Sequence, residues 1–248
     1  MRENNSLSCR KNVLNELKLS FIKIKDTYKY IKNLENEGED IIGSGQWLLD
    51  NIYLIEKEYR AIKANMPKGY FENLIVEESA GNLPRIFILA EEMIKESNGK
   101  LVEEELISFI LGKNKKLNMG ELWAFPLMLR ANIIINLSNT TDKLRDIYKE
   151  KRDGKELAYK VISANSKDEK LNVLKKAFDK SGYFIDELNK VLKDNSIEDD
   201  DIHNFISKLR EKDEKSSIKG PFIEGVLENT ISSSIMSLRE IESIDWRE

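Results

Sequence analysis

The chain has 248 residues, of which 40% are apolar and 34% charged, with a formal net charge of −4. Such a composition describes a folded, heavily charged globular protein, and the acidic balance gives no general electrostatic drive toward nucleic acid. A single cysteine, Cys9, and a single histidine, His203, exclude an internal disulfide, a CxxC metal or redox centre and a multi-histidine metal site.

The opening MRENNSLSCRKN lacks the apolar stretch of a signal peptide. The uncharged runs 122–129 and 131–141 are too short to span a bilayer and are separated by Arg130. A soluble, cytosolic chain with no transmembrane helix is therefore expected. The first 35 residues are locally basic, which reads as a solvated helix face.

Leu14, Leu17, Phe21, Ile24, Tyr28 and Ile31 alternate by three and four, predicting one long helix over about 7–35. Gly38 to Gly45 breaks it. A second helix is predicted over about 45–65, ending ahead of Pro67 because a residue before proline is pushed out of the helical region. Residues 67–83 read as an ordered loop, too apolar for a free linker. Pro84 suits a first helical position and opens a helix that Gly99 ends. A short amphipathic helix through Val102, Leu106, Phe109 and Ile110 closes at Gly112. Asn118 and Glu121 have capping-box spacing at the head of a long helix to about 150, which Pro126 should kink.

After Asn139 the chain becomes rich in Lys, Asp and Glu. Weaker helices fit about 154–164, 168–193 with a break at Gly182, and 197–211, followed by a hydrophilic connector over 212–220 and a last helix from Pro221. No period-two strand run and no repeat is visible. The expected fold is all-α: a multi-helix bundle with a kinked long central helix. Its expected parts are 1–42, a long helix; 43–139, a helical core; and 140–248, a charged helical part. The ending just after Trp246 reads as a cut in a longer protein.

Few groups suggest chemistry. Asp199, Asp200 and Asp201 contain an Asp-x-Asp spacing used elsewhere for divalent metals, but here the acids follow Ser196 as an N-cap and complement a helix dipole. His203 sits at the edge of an apolar stripe, with no nucleophile arranged beside it. Gly43-Ser44-Gly45 precedes a helix but lacks the GK[ST] ending of a phosphate loop. Neither a metal site nor a cofactor site is expected. Asp50 and Asn51 stand out more, because they interrupt the most apolar helix start, GSGQWLLDNIYLIEKEYR. Arg85 and Arg130 have similar settings. Asp50, Asn51, Arg85, Glu121 and Arg130 could form an internal polar network that fixes how three helices dock, since a buried charge is tolerated only when paired. The open alternative is a cleft in which Trp47, Asp50, Tyr53, Arg85 and Trp123 hold a ligand. A buried Trp47 and Trp123 would favour the first reading, and a cleft between the second and fifth helices the second.

Four blocks resemble a known family. GSGQWLLDNIYLIEKEYR, MPKGYFENL, LPRIFILA and LNMGELWAFPLMLR are similar, in order and at similar separations, to AxEWLLDNxxLIExxI, LPxGYYxxLPxL, YPRVxxLA and LTxGELWAxPxMLR in the amino-terminal region of cyclic β-1,2-glucan synthases. SSSIMSLREIESIDWRE is similar to that family's later SIxSLRxxxxxDWxxF block, whereas 140–220 matches loosely. Gln46 replaces the family's glutamate before the tryptophan. The resemblance implies a very large inner-membrane parent with a UDP-glucose-using glycosyltransferase domain and a phosphorylase-type domain, whose motifs do not occur here. It implies for this segment a non-catalytic helical region on the cytoplasmic side of the inner membrane. Such a region would dock against the later domains of the same polypeptide or the inner membrane surface, or else act as a module binding a glucan or nucleotide sugar.

Overall fold

The computed structural model describes residues 2–66, 68–71, 74–77, 81–97, 100–112, 117–178, 180–197, 199–214 and 220–244. The fold is all-α. Helices α1 (Arg2–Asn36), α2 (Gly43–Ala64), α3 (Arg85–Glu96), α4 (Glu103–Gly112), α5 (Met119–Ser163), α6 (Lys167–Leu174), α7 (Gly182–Asp194), α8 (Asp200–Glu214) and α9 (Gly220–Ser243) follow in order. Between α2 and α3, a short 3-10 turn precedes an antiparallel pairing of β1 (Val76–Glu77) with β2 (Leu83–Pro84). This pairing lies in the stretch expected to be an ordered loop. Gly81 and Asn82 supply the positive φ angles its turn requires. Among the described residues, no helix is long and apolar enough to cross a membrane. The chain divides into two compact units: residues 1–142 with 227–248, and residues 143–226.

In the first unit α1 packs on α2. Its buried seam is Val13, Leu17, Ser20, Ile24, Thr27, Ile31 and Leu34, a heptad-like repeat rotated slightly from the expected stripe. Phe21 and Tyr28 lie beside the seam, and Phe21 stacks on Tyr59 with ring centroids 4.1 Å apart. The substitution of small side chains for rings has a local cause. Thr27 Oγ1 donates to the Thr141 carbonyl at 3.4 Å, so α1 lies close to the α5 backbone there. Helix α2 buries Leu48, Asn51, Leu54, Ile55, Glu58 and Ile62, one face at helical spacing. It begins at Gly43 rather than at about residue 45. The Glu228 carboxylate of α9 lies over Gly43, where a Cβ would displace it, and Ser44 and Gly45 are buried beside it. Pro84 is not the first helical residue. It stands outside α3 in extended conformation (ψ 137°) and pairs in β2. The Gly99 stop lies outside the described residues.

In the second unit α5 continues to Ser163, so the separate helix expected over 154–164 is the end of α5. Pro126 lies inside α5. Residues 168–193 do break near Gly182, where Ser181 caps α7. The core joins Leu157 and Val161 of α5, Leu174 of α6, Phe184, Ile185 and Leu188 of α7, and Ile202 and Ile206 of α8. Gly154 touches the Phe184 carbonyl so closely that a Cβ has no room, and α5 and α7 meet backbone to backbone there. Ser196 does not cap α8. It has φ 54°, and Asp199 takes the capping role instead, its Oδ1 accepting from the Asp201 N–H at 2.9 Å and the Ile202 N–H at 3.4 Å. The chain end at Asp245–Glu248 lies outside the described residues.

Candidate functional site

Four of the five polar residues singled out in the sequence, all but Asp50, fall into three pairs within the first unit. The first sits where α3 meets the head of α5. Glu121 is fully buried, and Arg85 grips it with two hydrogen bonds, Nη2–Oε2 at 2.5 Å and Nε–Oε1 at 3.0 Å. Glu121 also closes the expected capping box: its N–H donates to Asn118 Oδ1 at 2.9 Å, and its carboxylate accepts from the Asn118 N–H at 3.0 Å. One carboxylate therefore satisfies the start of α5 and docks α3 to it, a geometry in which a buried charge is tolerated.

The second pair joins α5 to α2. Arg130 Nη1 meets Glu58 Oε2 at 3.2 Å, while Nε turns to the Pro126 carbonyl at 3.3 Å. Glu58 was not singled out in the sequence. The signal was present, because Glu58 follows Asn51 by seven and precedes Ile62 by four on the apolar face. Burial pushes the nearby Tyr70 hydroxyl up to about 12, with the Arg130 charge pulling the other way, so the phenol stays protonated.

The third pair answers why an amide lies in the apolar start of α2. Asn51 Nδ2 donates to the Trp47 carbonyl at 2.9 Å, and its Oδ1 accepts from Arg239 Nη2 of α9 at 2.6 Å. Nothing in the spacing of the sequence could name Arg239, 188 residues away. Alongside it, Gly43 meets Glu228 and Lys57 pairs with Glu242, so α2 and α9 run parallel in a constant register. Asp50 is different. It is exposed and accepts from Gln46 Nε2 at 2.9 Å. A glutamate at 46 would place like charges four residues apart on one helix, which the amide avoids.

The aromatic candidates lie further out. Trp47 is half-buried, Tyr53 is exposed, and Trp123 is 79% exposed. Two buried tryptophans, the observation that would favour the internal-network reading, do not describe this arrangement.

The aspartates at the α8 head face a cation of the chain itself, Lys167, which pairs with Asp201. Partial desolvation pushes the Asp199 carboxyl up, but hydrogen bonds from the Asp201 and Ile202 backbone and the charges of Lys167 and Lys170 outweigh it and hold it below the usual range. Among the described residues no group of three or more His, Cys, Asp or Glu could hold a metal ion.

Fold and geometry together define an all-α protein whose first unit is locked by buried charged and amide side chains at the helix crossings. No protein-family model matches the chain. It is similar to the cyclic beta-(1,2)-glucan synthase NdvB of Rhizobium meliloti (strain 1021), with 25% identity over 224 residues, covering 84% of this chain and 8% of that relative. This similarity supports the relationship to glucan synthases suggested by the four blocks, which fall on α2, the turn after it, α3 and the head of α5.

Proposed function

We propose that the chain is a non-catalytic helical region of a cyclic β-1,2-glucan synthase-like polypeptide, placed on the cytoplasmic side of the inner membrane. It docks onto that polypeptide's UDP-glucose-using glycosyltransferase domain. The observation that carries this reading is the head of α5. Met119, Leu122 and Trp123 are 69%, 39% and 79% exposed, and their spacing of three and four puts them on one face of the helix. On the same turn, Glu121 is buried and held by Arg85 and Asn118. The structure thus holds rigid a turn that displays a large aromatic to solvent, and an exposed apolar face with a tryptophan suits a protein contact. The occupant is a later part of the same polypeptide, because the similar synthase is far longer than this chain.

The test is reconstitution. Membranes carrying the synthase polypeptide without this region are supplied with the purified chain, and glucan formation from UDP-glucose is followed. The wild-type chain restores synthesis. Trp123→Ser, with an unchanged melting temperature, restores it only at about tenfold higher concentration, as loss of a central interface aromatic predicts. Equal restoration by both, or glucose transfer by the isolated chain, overturns the reading.

A further inference from the structure

A second feature of the first unit is independent of the docking face and of every residue singled out in the sequence. A cavity of about 150 Å³ opens between α1, α3 and α5. That volume accommodates one six-membered ring. Phe87, Ile94 and Ile135 supply an apolar wall, and Glu16, Glu91, Lys95, Asn132, Asn136 and Asn139 supply polar groups.

Asn132 is 4% exposed, and both protons of its Nδ2 are committed, to the Phe87 carbonyl at 3.0 Å and the Met128 carbonyl at 3.1 Å. Those two acceptors fix the orientation of the amide. Its Oδ1 has no hydrogen-bond partner among the described residues, and Asn132 lines the cavity. A nearly buried acceptor is thereby left open to whatever enters. Glu16 adds a second acceptor. Burial, with the Glu91 charge adding to it, raises its carboxyl above the usual range, so it gains from a hydroxyl donor that shares its charge. The one cation, Lys95, is already paired with Glu91 at 2.5 Å.

From these groups we infer that the cavity is a binding site for one neutral pyranose-sized polyol. Each hydroxyl of such a ligand both donates and accepts, which matches a lining that mixes carboxylate and amide oxygens with amide N–H groups. The C–H face of the ring fits the Phe87–Ile94–Ile135 wall. Phosphorylated ligands are disfavoured, because two carboxylates face the space and its lysine is already paired. The site therefore selects a plain sugar against a nucleotide sugar.

The probes are D-glucose, its β-1,2-linked dimer, UDP-glucose and 1,4-diaminobutane, titrated at millimolar concentration into the whole chain while the side-chain amide signals of Asn132 and Asn136 are followed. The expected result is saturable shifts with glucose or the dimer, no tighter binding of UDP-glucose, and about tenfold weaker binding in Asn136→Leu and in Glu16→Gln, each with a retained fold. Absence of saturation with either neutral sugar overturns the inference. Binding of the diamine alone overturns it too, since that outcome makes the cavity a cation site. Unchanged affinity in both variants places the sugar elsewhere and overturns it as well. The outcome is separate from that of the docking test, because Trp123 does not line the cavity.

Discussion

The two units stabilise helix contacts by different means. In the first, polar side chains are carried inside: Glu58, Glu121, Asn51 and Asn132 are all buried at helix crossings, and each has a specific partner. In the second, the core is mainly apolar, with Asn189 a buried amide and Ser181 donating to Glu150 where α7 begins beside α5, and the ion pairs Lys167–Asp201, Arg210–Asp186 and Lys151–Glu224 sit at least partly in solvent. A hydrophobic crossing tolerates sliding and repacking, whereas a buried bidentate pair accepts one register. The first unit is therefore built for fixed geometry, and it is also the unit that carries the four blocks similar to glucan synthases.

The comparison can be broken most sharply at Glu121. Replacement by Ala removes both carboxylate hydrogen bonds of Arg85 and opens the α5 cap, and should cost about 3–5 kcal/mol in denaturant unfolding. The pair replacement Arg85→Met with Glu121→Leu should recover most of that loss. A single variant as stable as wild type would remove the basis for treating the first unit as charge-locked. Gly154→Ala is the counterpart in the second unit. Overpacking against the Phe184 carbonyl should cost about 1–3 kcal/mol, with hydrogen-exchange protection lost in α7 and kept in α2. Asn51→Ala removes both hydrogen bonds of a buried amide, costing about 1–3 kcal/mol, whereas the neighbouring Asp50→Ala should stay within about 0.5 kcal/mol. Equal effects at 50 and 51 would contradict the burial assigned to each.

The smallest effects are in pH, and they have opposite signs in the two units. Burial and the Glu91 charge raise the Glu16 carboxyl, so the folded state holds that proton more tightly than the unfolded chain. Stability falls as pH rises from the unfolded value of about 4.3 through the raised folded one. Glu16→Gln should accordingly raise the melting temperature at neutral pH and lose that advantage in acid. Asp199 is lowered, and its contribution is present above the unfolded value of about 3.9 and lost as pH falls through the lower folded one. Asp199→Ala should therefore lower the melting temperature at neutral pH, with the difference shrinking in acid. Melting curves across pH check both signs.

Helical periodicity made the fold class and most helix positions legible, because apolar spacing is a local property of the chain. The capping box at Asn118 and Glu121 was legible for the same reason. In α1, Leu17, Ile24 and Ile31 are buried as the spacing predicts, while Val13, Ser20 and Thr27 take the places expected of Leu14, Phe21 and Tyr28; at Thr27 the cause is the approach of the α5 backbone, a tertiary fact. The α8 cap was misassigned because Ser196 and Asp199 are both good caps and only the backbone angle at 196 separates them. Of the polar residues, Arg85 and Glu121 were named together, but Glu58 and Arg239 were not. Pairing across the fold leaves no mark in local spacing. The cavity at Glu16 and Asn132 left even less, because three helices distant in sequence build it.

The docking claim is tested most directly by the emission of Trp123. In a Trp47→Phe, Trp246→Phe chain this tryptophan is the only one left, and its exposure predicts red-shifted emission in the free chain. Titration with the glycosyltransferase part of the synthase should move that emission to the blue and saturate, with no such shift when Leu122→Ser is added. Emission that stays red at saturating transferase would contradict docking through the head of α5.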